Sequence, residues 1–449
     1  MQVMLIANTA IYFAVFGIPS SVYYFLPRSA DKKRMMKNTI SLLFGISAAV
    51  SLCLYFSSDF IAGGFNNPDV KKFGWLIAAF IFLQIPIKLY EPFMVSTKNV
   101  LRFVIVNASF NAGFLMVVLI PVLLGWQLEE VLLALLYFFI GQLLAVYTMI
   151  TITYIELRED PGGEEYLVKN QIAYSLPIGL SGAMVELGKA VDKMIVSGYY
   201  DPEQLAIYGR GAMEIPLLNV VANSLGNILM PKFVEEFRKG NIGKVMVLWH
   251  SSIKMMAMFI YPALVYLILT AGHLIPFLFT DEYIASVIIF QVYTVGLITR
   301  ITSYDAIIRA VGKTKVIFKI SILAVVLNIL FTVMLIELIG IVGAPLATVL
   351  VGATVRTVYL IVITKLLEVP ISKVFPWSSL IRLIGASLIA GLTILPILNM
   401  DLRHSTMLVA TSLTFALAYI VAFRYSKALN ESELNSVRGI LPKKIRWIL

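Results

Sequence analysis

The sequence runs to 449 residues, 59% of them hydrophobic and only 14% charged. That composition excludes a water-soluble globular class and points to a membrane protein. Its 36 Lys and Arg outnumber its 26 Asp and Glu, for a formal net charge of +10.

Apolar runs of the ~17–25 residues needed to cross a bilayer recur thirteen times. They lie at roughly 4–26, 39–56, 73–90, 103–124, 131–154, 171–198, 206–230, 248–269, 286–308, 319–337, 344–364, 382–398 and 407–425. Backbone polar groups in lipid must be satisfied within the chain, so these runs are predicted helices. The alternating pattern of an outer-membrane barrel is absent. The first run has no basic segment before it and is too long for a cleavable signal peptide, so it reads as a span.

The basic residues set the orientation. The loops at 27–38, 91–102, 155–170, 231–247, 309–318 and 365–381, with the tail after 425 and the adjoining helix turns, hold 26 Lys and Arg. The opposite loops hold three, Lys71, Lys72 and Arg403; the remaining seven, 36 − 26 − 3, lie inside apolar runs. This asymmetry places the basic loops and the C-terminus in the cytoplasm, in a multi-pass inner (cytoplasmic) membrane topology. The net charge is thus a topology signal, and no nucleic-acid partner is expected. All five tryptophans (Trp75, Trp126, Trp249, Trp377, Trp447) fall near predicted span ends or in the tail, as an interfacial belt requires.

The segment 155–170 is the most polar between spans and carries a Pro-Gly-Gly break, the mark of a linker. It separates an N-terminal lobe, 1–154, from a C-terminal lobe, 171–367, followed by a terminal helix pair and basic tail, 368–449. A weak repeat relates the lobes. Leu26-Pro27-Arg28 closes the first span as Met230-Pro231-Lys232 closes the seventh. Residues 87–99 resemble 301–315: Tyr90-Glu91 matches Tyr304-Asp305, a lysine follows, and each segment leads to a span with a mid-helix asparagine, Asn111 or Asn328. The offset is about 204–217 residues throughout, as internal repeats in transporters have it. Spans 7–11 match spans 1–5, which leaves span 6 without a counterpart. The expected ancestral pattern is six plus six plus two, with its first helix missing here through truncation or a misassigned start.

Lys88, Lys189, Lys193, Arg210, Lys254, Arg300 and Arg356 are the basic residues inside apolar runs. A charge in hydrocarbon is costly, so such residues are paired or line a wet path; six of these seven belong to the second half of the chain. Together they suggest a cationic route for an anionic substrate. The bland alternative is intrahelical pairing: Glu186 with Lys189, Lys189 with Asp192, and Arg210 with Glu214 have the spacing for it. Lys88 and Lys254 sit near span ends, where long side chains snorkel. Arg300 and Arg356 have no acid three or four residues away. Pro19, Pro86, Pro216 and Pro262 interrupt spans; Pro216 is placed to bend the helix bearing Arg210 and Glu214, as a gate or as a static kink. The tail ending in residues 437–449 reads as a basic, apolar segment at a lipid surface, or as disorder.

Several stretches resemble a known family: GIPSSVYYFLPR (17–28), YSLPIGLSGAM (174–184), DKMIVSGYYDPEQLAIYGRG (192–211) and HLIPFLFTDEY (273–283). In order and spacing they are similar to the polysaccharide-transporter, O-antigen flippase-like branch of the multidrug/oligosaccharidyl-lipid/polysaccharide exporter superfamily. The resemblance implies an all-α polytopic fold of fourteen helices, two pseudo-symmetric lobes plus a C-terminal pair, of which this chain carries about thirteen. It implies translocation of undecaprenyl-pyrophosphate-linked oligosaccharide by alternating access, with membrane lipids and polysaccharide assembly enzymes as partners and no cofactor.

For a pyrophosphate the expected contacts are Arg210, Arg300 and Arg356, because arginine stays charged and binds phosphate oxygens bidentately. Lys189, Lys193 and Lys254 are secondary. Glu186, Asp192 and Glu214 are the carboxylates available to carry protons in a coupled exchanger. The three histidines (His250, His273, His404) are scattered without metal-ligand spacing, and there is no P-loop. A single cysteine, Cys53, excludes an internal disulfide. Two transporter alternatives stand beside the polysaccharide flippase, a multidrug or cation antiporter and a lipid II flippase. A membrane glycosyltransferase or polymerase is the reading from another class, disfavoured because no loop exceeds about twenty residues.

Overall fold

The apolar runs fold as helices. A computed structural model describes residues 7, 10–11, 13–59, 71–213, 215–429 and 433, and of residues 189–190 and 216–225 the backbone alone. Among the described residues eight helical segments are long and apolar enough to cross a membrane: Lys32–Phe56, Gly74–Ser96, Val100–Leu123, Leu128–Ile155, Ile242–Phe279, Thr314–Leu367, Trp377–Leu398 and His404–Ser426. Thr314–Leu367 is two helices, Thr314–Ile339 and Gly343–Leu367, joined by the short 3-10 turn Gly340–Val342. The turn is tight: a Cβ on Gly343 would lie 2.2 Å from the Leu335 carbonyl oxygen. Outward faces are apolar, with Leu101, Ile105, Leu119 and Leu123 all exposed on Val100–Leu123. In water such a surface would aggregate; in lipid it is the solvent-matched one. The protein is an all-α, multi-pass membrane protein.

Two expected spans are broken. The run 206–230 forms Pro202–Gly211 and then Pro216–Arg238. Pro216 therefore starts a helix, where its missing N–H is no loss, instead of bending one. Gly211 allows close packing there, since a Cβ would meet Ile289 Cβ at 2.6 Å. The run 286–308 divides into Ser286–Val295, the 3-10 segment Gly296–Thr299, a non-helical stretch at 300–304, and Asp305–Ala310. Hydropathy averaged over a whole span does not register such breaks, because the apolar residues on either side outweigh the few polar ones at them, Arg300, Thr302 and Ser303 among them. The interfacial belt also needs correction. Trp75, Trp126 and Trp377 are about half exposed, but Trp249 is fully buried and donates its Nε1–H to the Val374 carbonyl at 3.0 Å. Trp447 and the segment 437–449 lie outside the described residues.

The repeat has a structural counterpart. Tyr90, buried, opens the short helix Tyr90–Ser96; a left-handed residue, Lys98 (φ 64°), turns the chain into Val100–Leu123. Tyr304, also buried, precedes the short helix Asp305–Ala310; Gly312 (φ 81°) turns the chain into Thr314–Ile339.

The chain divides into two compact units, the first comprising 1–183, 230–239 and 309–318, the second 184–229, 240–308 and 319–449. Within the first, Gln171 ties three segments together: its Nε2 donates to Ser21 Oγ (2.8 Å) and Thr39 Oγ1 (2.9 Å), and its Oε1 accepts from Tyr166. The polar segment 155–170 is folded against this unit. Arg238 donates to the Asp160 carboxylate (2.7 Å) and to the carbonyls of Pro27 (3.0 Å) and Gly162 (2.8 Å), while Arg28 pairs with Glu164. Within the second unit, the 38-residue helix Ile242–Phe279 is the spine against which Trp377–Leu398 and His404–Ser426 pack.

Candidate functional site

The second unit encloses a cavity of about 620 Å³, and both broken spans contribute to it. Its wall brings together Asp192 and Lys193 from the helix Val168–Tyr199, Arg356 from Gly343–Leu367, and Arg300 from a helix break. Arg300 caps the 3-10 segment at the break, and Arg356 projects from the middle of Gly343–Leu367. Broken helices beside a polar cavity are the hallmark of midplane sites in transporters.

Arg356 is held from both sides. Its Nη1 donates to Thr299 Oγ1 at 2.7 Å, on the broken segment. The guanidinium lies over Gly352, where an added Cβ would stand 2.8 Å from Nη1. Arg300 is near enough to oppose it electrostatically. Neither arginine has a carboxylate within ion-pair distance among the described residues. Two like charges facing one space without a counter-ion repel each other, and that repulsion is relieved when an anion enters.

Asp192, 6% exposed, takes a different environment. Thr332 Oγ1 donates to its Oδ1 at 3.3 Å, Thr348 Oγ1 to its Oδ2 at 2.9 Å, and Asn328 bonds the same carboxylate. These are neutral donors, so among the described residues the carboxylate is solvated by hydroxyls and an amide. Asn328 keeps its own Oδ1 buried and without a partner. Tyr208 and Tyr293, hydroxyl to hydroxyl at 2.7 Å, complete this polar wall.

The other expected site residues go elsewhere. Arg210 is exposed and stacks over Phe279 (4.9 Å) and Tyr283 (5.6 Å), a cation–π arrangement outside the cavity wall. Lys254 pairs with Glu433 at 2.9 Å, with both side chains mostly buried. Glu186 is exposed and does not line the cavity. Glu214 and the side chain of Lys189 lie outside the described residues. The expected pairing of Lys189 with Asp192 therefore also falls outside the described residues; among those described, threonines from two distant helices hold that carboxylate.

Two of the three histidines, scattered in sequence, are brought together by the fold, while His250 bonds the Lys373 and Val374 carbonyls. His273 and His404 meet Nδ1 to Nδ1 at 3.0 Å, and His404 Nε2 lies 3.3 Å from Asp281. Tertiary folding joins residues that share no sequence spacing. Among the described residues no three His, Cys, Asp or Glu side chains are grouped to hold a metal ion.

A second cavity, of about 310 Å³, lies wholly within the first unit. Sequence reasoning missed it, although its signal is present as five residues on one face of Val100–Leu123: Phe103, Asn107, Phe110, Asn111 and Phe114.

The family described as "Polysaccharide biosynthesis protein" matches residues 2–288 of the chain. No curated protein matches it. Its fold is similar to that of the lipid II flippase MurJ in an inward closed conformation, with a TM-score of 0.57 and 17% identity over 93% of this chain and 92% of that one. It is also similar to a MATE protein in the straight conformation (TM-score 0.68, 11% identity, 82% and 87% covered). The bent form of the Vibrio cholerae MATE transporter VcmN gives a TM-score of 0.61 at 13% identity, with 82% and 86% covered. At these identities the likeness is one of fold.

Proposed function

We propose that this chain, which belongs to the polysaccharide biosynthesis protein family, is a flippase and not an enzyme: it carries lipid-linked oligosaccharide across the cytoplasmic membrane by alternating access. The observation that carries this reading is the pair Arg300 and Arg356, with no counter-ion among the described residues, facing the 620 Å³ cavity of the second unit. A lipid-linked sugar joined through pyrophosphate brings two or more negative charges that cannot cross hydrocarbon bare. Guanidinium groups replace the lost water with directed N–H donors. Arg356 commits one N–H to Thr299, which aims the head group and leaves its remaining donors for phosphate oxygens.

Asp192 is the carboxylate we assign to coupling. Its partners among the described residues are hydroxyl and amide donors, which can stay in place when it takes up a proton. Lys193 beside it adds positive charge at the cavity wall. The breaks at 212–215 and 300–304 provide the backbone freedom that alternating access needs. The polyprenyl tail stays in lipid, against the apolar outer faces of the helices.

A multidrug or cation antiporter is the competing transport reading, and Asp192 is the one observation in its favour. A cationic drug would meet two guanidinium groups in the same cavity, which costs binding energy. Deleting the gene and extracting the lipids decides the matter. Accumulation of lipid-linked oligosaccharide on the cytoplasmic leaflet is the expected result. Accumulation of lipid II instead would assign the other flippase substrate, and unchanged glycolipids with raised drug sensitivity would overturn the proposal.

A further inference from the structure

The cavity of the first unit has a chemistry unlike that of the second. Four amide side chains line it: Gln84, Asn107, Asn111 and Gln142. Gln84 Nε2 donates to Gln142 Oε1 at 3.1 Å, a bond that leaves the Gln84 oxygen and the Gln142 N–H donors uncommitted to it. Asn107 and Asn111, one turn apart on Val100–Leu123, have no protein partner among the described residues. Amides without partners are costly against hydrocarbon, so this helix face belongs to a wet or ligand-filled space. Tyr90, 4% exposed, adds a hydroxyl that is buried in the same wall and has no partner among the described residues. A buried polar atom without a partner calls for one.

Aromatic rings alternate with these amides. Phe103, Phe110 and Phe114 share the helix face that carries Asn107 and Asn111, and Phe138 and Phe139 stand opposite. The rings are locked against one another, Phe114 on Phe139 at 6.3 Å and Phe110 on Phe138 at 6.2 Å. The charged groups at the wall, Lys88 and Glu91, are one of each sign, and Glu91 accepts a hydrogen bond from Tyr23 at 3.3 Å. The cavity is therefore close to neutral.

A neutral ligand that wants both faces of this chemistry carries vicinal hydroxyls on an apolar ring edge. An amide offers a donor and an acceptor side by side, matched to neighbouring hydroxyls. An aromatic face, negative at its centre, attracts the C–H face of a saturated ring. We infer that the first-unit cavity is a binding site for a pyranose ring, distinct from the phosphate contacts at Arg300 and Arg356. Its volume lies at the lower end of the ~300–1,000 Å³ range of ligand pockets and admits a single ring sooner than an extended chain. The inference rests on the proposed function only in that the ring would belong to the transported lipid-linked substrate.

The test is saturation-transfer NMR on the full-length protein in an amine-oxide detergent, because maltoside detergents carry the very group being tested. Probes are methyl glucopyranoside, methyl galactopyranoside, methyl mannopyranoside, rhamnose and N-acetylglucosamine, with sorbitol as an open-chain polyol of similar hydroxyl content. At least one pyranoside is expected to receive saturation, with sorbitol silent. Asn111→Leu and, separately, Gln142→Met should each weaken that signal by about two- to tenfold, the scale of one or two neutral hydrogen bonds, and Asn111→Gln should retain most of it. Two variants on different helices guard against a single fold defect. Silence from every pyranoside, an equal response to sorbitol, or signals unchanged in both variants would overturn the inference. The readout is binding and not transport, so a failed lipid-accumulation experiment leaves a positive result standing, and the reverse also holds.

Discussion

The cavities of the two units grew from the same local frame and ended with opposite chemistry. Asn111 and Asn328 lie 217 residues apart (328 − 111), each on a long helix that follows a short helix and a left-handed turn, and each lines its own unit's cavity. Around Asn111 are amides and aromatic rings, with one Lys and one Glu in balance. Around Asn328 are a buried carboxylate, two arginines and a lysine. A repeated scaffold thus keeps a backbone position for a polar side chain while its surroundings diverge. The difference suggests a division of labour on one amphiphilic substrate, with neutral hydroxyls read in one unit and phosphate charge in the other.

The sharpest way to break that contrast is to discharge the second cavity. Arg300→Gln and Arg356→Gln should each lower transport by about ten- to a hundredfold, since a hydrogen bond to a charged group contributes about 1.5–3 kcal/mol. The double variant should fail to rescue a deletion strain, read by labelled lipid-linked oligosaccharide in the membrane. If the double variant transports normally, the cationic assignment is wrong. Asp192 comes next. Asp192→Leu leaves Thr332, Thr348 and Asn328 without their acceptor and should cost about 1–3 kcal/mol of stability. Asp192→Asn keeps an acceptor oxygen, so it should fold with a near-normal thermal midpoint and lose the dependence of transport on a proton gradient.

A smaller substitution separates packing from charge. Gly352→Ala places a Cβ at 2.8 Å from Arg356 Nη1, and the flexible guanidinium, not the backbone, will move. Helix propensity favours alanine by up to about 1 kcal/mol, so thermal stability should hold or rise. Transport should fall by about two- to tenfold as the head group leaves Thr299, the scale of one modest hydrogen bond. Opposite signs in the two measurements are the diagnostic outcome; parallel losses would mean that Gly352 matters only for packing.

Much of the fold was legible because the bilayer imposes length and apolarity on each helix, and those are properties of composition. Arg300 and Arg356 stood out for a local reason, the lack of an acid one turn away, and the structure puts them on one cavity. Arg210 carried the same chemistry in sequence, but its partners Phe279 and Tyr283 come from the end of a distant helix and the 3-10 turn after it, which no spacing rule connects to it. The helix breaks at 212–215 and 300–304 escaped because hydropathy averages over a backbone turn. The threonines around Asp192 escaped because hydroxyls on apolar helices look like ordinary filler until folding converges them. By contrast, the alternation of Phe and Asn along 103–114 was readable as a helix face and needed only the question of what such a face would touch.

The two-cavity contrast presupposes that the first unit is a framed body, and the frame can be probed at its polar segment. Asp160 receives a hydrogen bond from Arg238, which holds its carboxyl below the ordinary range; Arg238 in turn is held above its own by that bond. A carboxyl with a depressed folded-state value stabilises above the unfolded value near 3.9, and that contribution disappears as pH falls through the folded value. Asp160→Asn should therefore lower the thermal midpoint at neutral pH by the least of the series, because the pair is only half-buried and water screens it. The gap between wild type and variant should stay constant down to about pH 5 and close below pH 4. Gly163 offers a control on the same segment: a Cβ there would sit 2.4 Å from the Ala30 nitrogen, so Gly163→Ala should perturb stability equally at every pH. If the Asp160→Asn gap fails to close in acid, Arg238 is held by the Pro27 and Gly162 carbonyls alone, and the segment is fastened by shape and not by charge.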